Sequence, residues 1–139
     1  MSMASVSREV ETIRAFVSSS KRDRCVTFLS SEKRRKDFVR DLAHFDDFDP
    51  RFIVRIAPSD QHPAAVDALL RKRGAAGLCH VISERSAIDG KQMGLLEALK
   101  ETIGRDMGTI LCCTSGKLAY FENEDQRFIL EHPSNKGTA

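Results

Sequence analysis

The sequence predicts an α/β fold: a three-layer sandwich with a mainly parallel central sheet, an N-terminal helix and a C-terminal antiparallel β-meander. Short apolar runs and helical patterns alternate between residues 24 and 104. Such alternation favours parallel β-α-β units with helices on both faces of a sheet. From Gly108 onward the apolar runs are separated only by short turn signals. Strands joined in this way pair antiparallel.

Apolar residues that recur at helical spacing predict four helices. The first covers residues 7–18, and the third covers residues 64–73, next to a proline suited to a first helical turn. The second follows cap-type residues around Ser31, and Gly104 ends the fourth. The apolar positions of the second and fourth helices are Phe38, Val39, Leu42, Phe45, Leu95, Leu96, Leu99 and Ile103.

Six short apolar runs without helical spacing predict strands. They cover residues 25–29, 51–56, 78–82, 109–113, 118–121 and 127–130. Length and composition fit one α/β domain over residues 1–132. The remaining residues, 133–139, contain no apolar residue beyond alanine and are predicted to be a disordered tail.

Composition argues against several classes of partner. A formal net charge of +2 is too small to indicate a protein that binds nucleic acid by neutralising phosphates. With neither a signal peptide nor a long uncharged apolar stretch, the sequence predicts a cytoplasmic protein that makes no membrane contact. No cofactor is predicted, because neither a GxGxxG nor a GxxxxGK[ST] pattern is present.

The four cysteines lie at positions 25, 79, 112 and 113, each inside a predicted strand. They show neither a CxxC nor a Cys/His zinc spacing, so no metal site is predicted and the thiols are expected to be reduced. Neighbouring side chains of a strand face opposite ways, which predicts that Cys112 and Cys113 are buried on the two sides of a central strand. The alternative is a thiolate nucleophile or redox pair.

Three polar loops follow the first three predicted strands. If those strands are parallel, their carboxyl ends meet at one edge of the sheet, where open α/β sheets bind ligands. A pocket there would suit a small polar or phosphorylated ligand, with Glu84 or His62 as acid or base. The alternative interpretation is that these residues only cap helices and turns. The candidate ligand-binding residues are Ser31, Asp60, His62, Ser83, Glu84 and Asp89.

Two further features each allow a structural and a functional interpretation. The basic run at residues 33–36 is either a solvated helix face or a phosphate contact. His80 lies within a predicted strand between Cys79 and Val81, which face the opposite side, so it is either an interior histidine with a hydrogen-bonding partner or one on a half-exposed face, and the first is favoured.

The sequence favours a non-catalytic module that binds a ligand or a protein. It contains no recognisable pairing of a nucleophile with a base, no metal-binding motif and no phosphate-binding loop. The alternative is a small hydrolase or transferase that acts on a phosphorylated or nucleotide-like ligand at the carboxyl ends of the first three strands; whether the chain is an enzyme stays open. The last predicted strand lacks a neighbour, which predicts a homodimer through the C-terminal strands.

Overall fold

A computed structural model describes residues 3–138 of the chain. Five α-helices occur in this range: α1 (Met3–Phe16), α2 (Ser19–Ser30), α3 (Glu32–Asp41), α4 (Pro63–Lys72) and α5 (Leu95–Thr102). The six strands are β1 (Ile53–Arg55), β2 (Leu78–Ser83), β3 (Gln92–Gly94), β4 (Thr109–Thr114), β5 (Leu118–Glu122) and β6 (Arg127–Glu131). Short 3-10 turns cover Leu42–His44, Pro50–Phe52, Pro58–Asp60 and Pro133–Thr138.

The strands form one sheet in the order β1-β6-β5-β4-β2-β3, and every neighbouring pair is antiparallel. The prediction of a mainly parallel central sheet is therefore wrong. The cause is β3, whose sequence Gln-Met-Gly lacks the apolar alternation of a strand. Because β3 reverses the chain before α5, β4 meets β2 antiparallel.

The predicted strand at residues 25–29 lies inside α2. Its buried residues are Cys25 and Leu29, four positions apart, which is helical spacing. Exposed Thr27 bonds through its hydroxyl to the carbonyl of Asp23, one helical turn earlier. Without this strand, the first β-α-β unit of the predicted fold does not exist.

Helices cover both faces of the sheet. The α1–α3 face buries Ile110 and Cys112 of β4, together with side chains from the first three helices. The opposite face buries Leu111 and Cys113, together with side chains from α4 and α5. The predicted burial of the adjacent cysteines on the two sides of a central strand is thus confirmed.

The C-terminal strands are not a free edge. The meander of β4, β5 and β6 agrees with the prediction, but β6 also pairs with β1 through Ile53 and Leu130. The actual edges of the sheet are β1 and β3, each three residues long. The predicted homodimer through β6 therefore loses its structural basis, because short edge strands offer few unpaired backbone groups.

The predicted tail begins with a 3-10 turn at Pro133–Thr138. Asn135 is buried there, and its side-chain amide donates hydrogen bonds to the Arg73 carbonyl (2.7 Å) and to Glu131 Oε2 (2.8 Å). These bonds hold the turn against the end of α4 and against β6. The last predicted tail residue, Ala139, lies outside the described residues.

Candidate functional site

The sheet order separates the predicted site residues into groups. Strands β1 and β2 run in the same direction, so the loops after them lie at the same edge of the sheet. Three strands lie between them, which at the usual strand spacing puts the loops about 19 Å apart. Asp60 and His62 follow β1, whereas Ser83 and Glu84 are at the end of β2. The structure does not bring these two pairs together.

The positions of Ser31, Asp60 and His62 favour the interpretation that these residues only cap helices and turns. Ser31 caps α3, where its hydroxyl accepts a hydrogen bond from the Arg34 N–H. Asp60 is half-buried in a 3-10 turn, and His62 is exposed at the position before α4. None of the three lies at the carboxyl end of neighbouring parallel strands.

Ser83, Glu84 and Asp89 do meet. With Arg35 and Lys36 of α3 they line a groove of about 400 Å³. Glu84 Oε2 accepts a 2.6 Å hydrogen bond from the Gly108 N–H, and Asp89 Oδ1 accepts one of 2.9 Å from the Ser83 N–H. The Ser83 and Thr109 hydroxyls are 2.7 Å apart. All three predicted residues therefore hold the connection between β2 and β3 in place.

Beneath this groove lies a buried polar network that sequence reasoning missed. Glu9 of α1 is fully buried, and its carboxylate accepts hydrogen bonds from Arg35 Nε (3.1 Å) and Nη2 (2.8 Å). His80 Nε2 lies 2.7 Å from the same carboxylate. Arg35 Nη1 and Nη2 also donate to Asp89, at 2.6 and 2.9 Å. The network ties α1, α3, β2 and the β2–β3 connection together.

The charges of this network stabilise one another. Burial acts to raise the pKa of the Glu9 carboxyl, but the hydrogen bonds from His80 and Arg35 and the charge of Arg35 bring it below its ordinary value. Burial acts to lower the pKa of Arg35, and the two carboxylates more than reverse this effect. The interior position predicted for His80 is confirmed, with Glu9 as its partner.

The sequence contains a pattern that indicates the burial of Arg35. Arg35 precedes Phe38, Val39 and Leu42 by three, four and seven positions, so it occupies the apolar stripe of its helix. Glu9 precedes Ile13 by four positions in the same way. A charged residue on an apolar stripe indicates a buried ion pair, because an unpaired charge is not tolerated there.

A second buried carboxylate organises the start of β4. Glu122 Oε2 accepts hydrogen bonds from the backbone N–H groups of Gly104 (3.1 Å) and Asp106 (3.0 Å). Its other oxygen accepts the Tyr120 hydroxyl at 2.9 Å. Burial raises the pKa of Glu122. These partners fix Asp106 in the left-handed region, at φ 57°, so the role of Glu122 is to shape the loop after α5.

The cysteines are expected to be unreactive in the folded protein. Burial raises the pKa of the Cys25 thiol to about 11 and the pKa values of Cys79 and Cys112 to about 12. At pH 8 this leaves a thiolate fraction of about 10⁻³ or less, too small for nucleophilic or redox chemistry. We expect iodoacetamide to label the four thiols only at the rate of unfolding. Protein in guanidinium chloride is the control, and fast labelling of native Cys112 or Cys113 would restore the redox hypothesis.

A second groove lies on the α1–α3 face, and we call it the α2–α3 groove. It is bounded by α2 on one side and by α3, the Leu42–His44 turn and residues 45–47 on the other, and it encloses about 360 Å³. This volume falls in the range of small-ligand pockets. Its apolar wall consists of Cys25, Phe28, Phe38 and Phe45.

Opposite charges line the two sides of the α2–α3 groove. Lys21 and Arg24 project from α2, and the guanidinium of Arg24 lies 5.5 Å from the centre of the Phe28 ring. The other side carries three carboxylates and an imidazole, from Asp41, Asp46, Asp47 and His44. The Asp47 carboxylate is the strongest charge acting on Cys25, stronger than either Arg24 or Lys21, and it adds to burial in raising the pKa of that thiol.

Comparisons with protein-family models, with curated proteins and with solved structures found no match to this chain. Among residues 3–138, no helix combines the length and the apolar character needed to cross a bilayer. The α2–α3 groove is the candidate site on geometric grounds, because aromatic side chains and three carboxylates line the same concave surface.

Proposed function

We propose that this protein is a non-catalytic binding module whose α2–α3 groove takes a small apolar or aromatic group bearing a positive charge. The observation that carries the proposal is an aromatic wall beside three carboxylates. Phe28, Phe38 and Phe45 supply the apolar surface, and Asp41, Asp46 and Asp47 supply the charge. A ring with a short ammonium arm matches both features and the groove volume.

The charge balance of the groove supports a cation over an anion. Three carboxylates face two cations, and one of these cations, Arg24, is stacked against Phe28. Arg34 lies on the same ring, at 5.6 Å from its centre. Among the side chains that line the groove itself, carboxylates outnumber Lys and Arg by three to two, and an ammonium group could pair with Asp47.

The buried acids, base and thiols support a binding role over a catalytic one, because they serve the fold rather than face a ligand. The buried acids Glu9 and Glu122, the base His80 and the strand thiols are bonded within the protein or have raised pKa values. The predicted alternative, an enzyme at the carboxyl ends of three strands, relied on parallel neighbours that the sheet does not contain. Binding through the groove needs no rearrangement of these groups.

The proposal is tested by titrating phenethylammonium into ¹⁵N-labelled protein and following amide chemical shifts. We expect millimolar or tighter binding, with shifts confined to α2 and residues 38–47. An ammonium–carboxylate hydrogen bond contributes about 1.5–3 kcal/mol, so Asp47→Asn should weaken binding about 10- to 100-fold. The matched control is Asp23→Asn, an exposed carboxylate of α2 outside the groove, and it should leave the affinity unchanged.

An anionic analogue of the probe defines the outcome that would contradict the proposal. 3-Phenylpropionate has the same ring with a negative end, and we expect it to bind at least ten times more weakly. Equal affinity for the two probes would show that the carboxylates do not select the charge of the ligand. Chemical-shift changes outside α2 and residues 38–47, or an equal loss of affinity in both Asn variants, would show that the groove is not the binding site.

A further inference from the structure

We propose that His44, Glu124 and Asp125 form a binding site for a divalent transition-metal ion, here Zn²⁺. His44 Nδ1 lies 3.0 Å from Glu124 Oε1 and 3.5 Å from Asp125 Oδ2. One ligand atom from each residue falls within 4.8 Å of the other two. An imidazole nitrogen with two carboxylate oxygens is a ligand set that zinc and its neighbours use in proteins, whereas Mg²⁺ and Ca²⁺ prefer oxygen alone.

The separations are close to those of a coordinated ion. Zinc lies about 2.0–2.2 Å from nitrogen and oxygen ligands, so two ligand atoms of a tetrahedral site are about 3.3 Å apart. The side chains of His44, Glu124 and Asp125 are 73%, 51% and 59% exposed, so rotation about their side-chain bonds can close the remaining distance. Their exposure also leaves room for water to complete the coordination.

A buried side chain outside the cluster holds its two halves together. Asn123 is 1% exposed, and its Nδ2 donates to the carbonyls of Leu42 (3.1 Å) and Phe45 (3.2 Å), on either side of His44. Its Oδ1 accepts hydrogen bonds from the N–H groups of Asp125 and Gln126, both at 2.9 Å. The backbone segments that carry the three ligands are therefore fixed before any ion arrives, which lowers the entropic cost of binding.

The electrostatics of the cluster favour a divalent cation. Two adjacent carboxylates and one imidazole nitrogen lie within 4.8 Å of one another, and like charges at such a separation repel. A bound ion would neutralise both carboxylates and link the Leu42–His44 turn to the β5–β6 turn. His44 also lines the α2–α3 groove, but the metal proposal does not depend on the ligand of that groove.

Isothermal titration of the full chain with ZnCl₂ at pH 7.5 tests the site. We expect one ion per chain, binding in the micromolar range, and at least ten-fold weaker binding after His44→Ala or after the double change Glu124→Gln with Asp125→Asn. His62→Ala is the matched control, because His62 is an exposed histidine outside the cluster. Mg²⁺ at the same concentrations should give no measurable heat.

The proposal is overturned if 1 mM Zn²⁺ does not bind, or if binding survives His44→Ala unchanged, as it would for zinc held by the cysteines. Equal weakening in the His62→Ala control would also overturn it. Thermal unfolding without metal should be the same for all variants, since the side chains changed are exposed. Asp47→Asn should retain zinc binding, which separates failure of the metal site from failure of the groove.

Discussion

Replacing Arg35 with methionine is expected to lower the free energy of unfolding by about 3–5 kcal/mol at pH 7. The guanidinium donates hydrogen bonds to both Glu9 and Asp89. Without it, His80 is the one side-chain partner left to the fully buried Glu9 carboxylate among the residues that the structure describes. Removing one member of a buried ion pair leaves an uncompensated charge, which is the reason for the large effect. Urea unfolding followed by circular dichroism measures it.

The control for Arg35→Met is Arg40→Met. Arg40 lies on the same helix and pairs with Asp37, but its side chain is 73% exposed, and exposed pairs contribute little. We expect a change below about 0.5 kcal/mol. A similar loss in both variants would show that helix propensity, rather than the buried network, sets the stability.

The effect of Arg35→Met should depend on pH in a defined direction. The pKa of Glu9 is lowered in the folded protein, so its ionised form contributes stability above its ordinary value of 4.5, and this contribution is lost as the pH falls through the lowered pKa. In the variant, burial without the guanidinium should raise the pKa of Glu9, so protonation relieves the buried charge at higher pH. The difference between wild type and variant should therefore shrink between pH 7 and pH 4.

Replacing Phe121 with alanine is expected to lower the free energy of unfolding by a comparable amount, about 3–5 kcal/mol. The Phe121 ring is fully buried in β5, and its centre lies 4.9 Å from that of Phe48 and 5.4 Å from that of Phe128. Truncation leaves a cavity whose walls are rings fixed by the sheet and by the segment after α3, so they cannot collapse into it. Chemical unfolding at pH 7 gives the magnitude.

Phe52→Ala provides the comparison for Phe121→Ala. Phe52 is only partly buried, and its ring stacks near His132 at 5.1 Å between centres. We expect less than half the loss, because the truncated site can fill with water. If the two variants lost equal stability, the aromatic cluster around Phe121 would not be the centre of the α1–α3 face.

The sequence predicted the elements with strong apolar periodicity and failed where the signal was short or mixed. The strands from Thr109 onward combine apolar runs with turn residues, and their antiparallel pairing followed from chain connectivity. The three-residue strand Gln92–Gly94 carries no periodic signal, yet it reverses the direction of everything after it. Residues 25–29 satisfy a strand pattern and a helix pattern equally, and contacts distant in sequence decided between them.

The candidate site was less predictable than the fold. The sequence placed Ser83, Glu84 and Asp89 in one polar loop after a recognisable strand, and all three line the same groove. The α2–α3 groove could not be predicted, because one of its walls was assigned to a strand. The His44 cluster depends on residues about 80 positions apart that are brought together by tertiary contacts, among them the hydrogen bonds of Asn123, and no local pattern records such a contact.

The pairing of β1 with β6 also has a consequence for the order of assembly. Ile53 pairs with Leu130, which lies 77 positions later in the chain. The hairpins of β4, β5 and β6 involve neighbours in sequence and can form early, because closing short loops costs little entropy. The β1 strand must wait until β6 has been synthesised. During translation β1 therefore remains unpaired until β6 has left the ribosome.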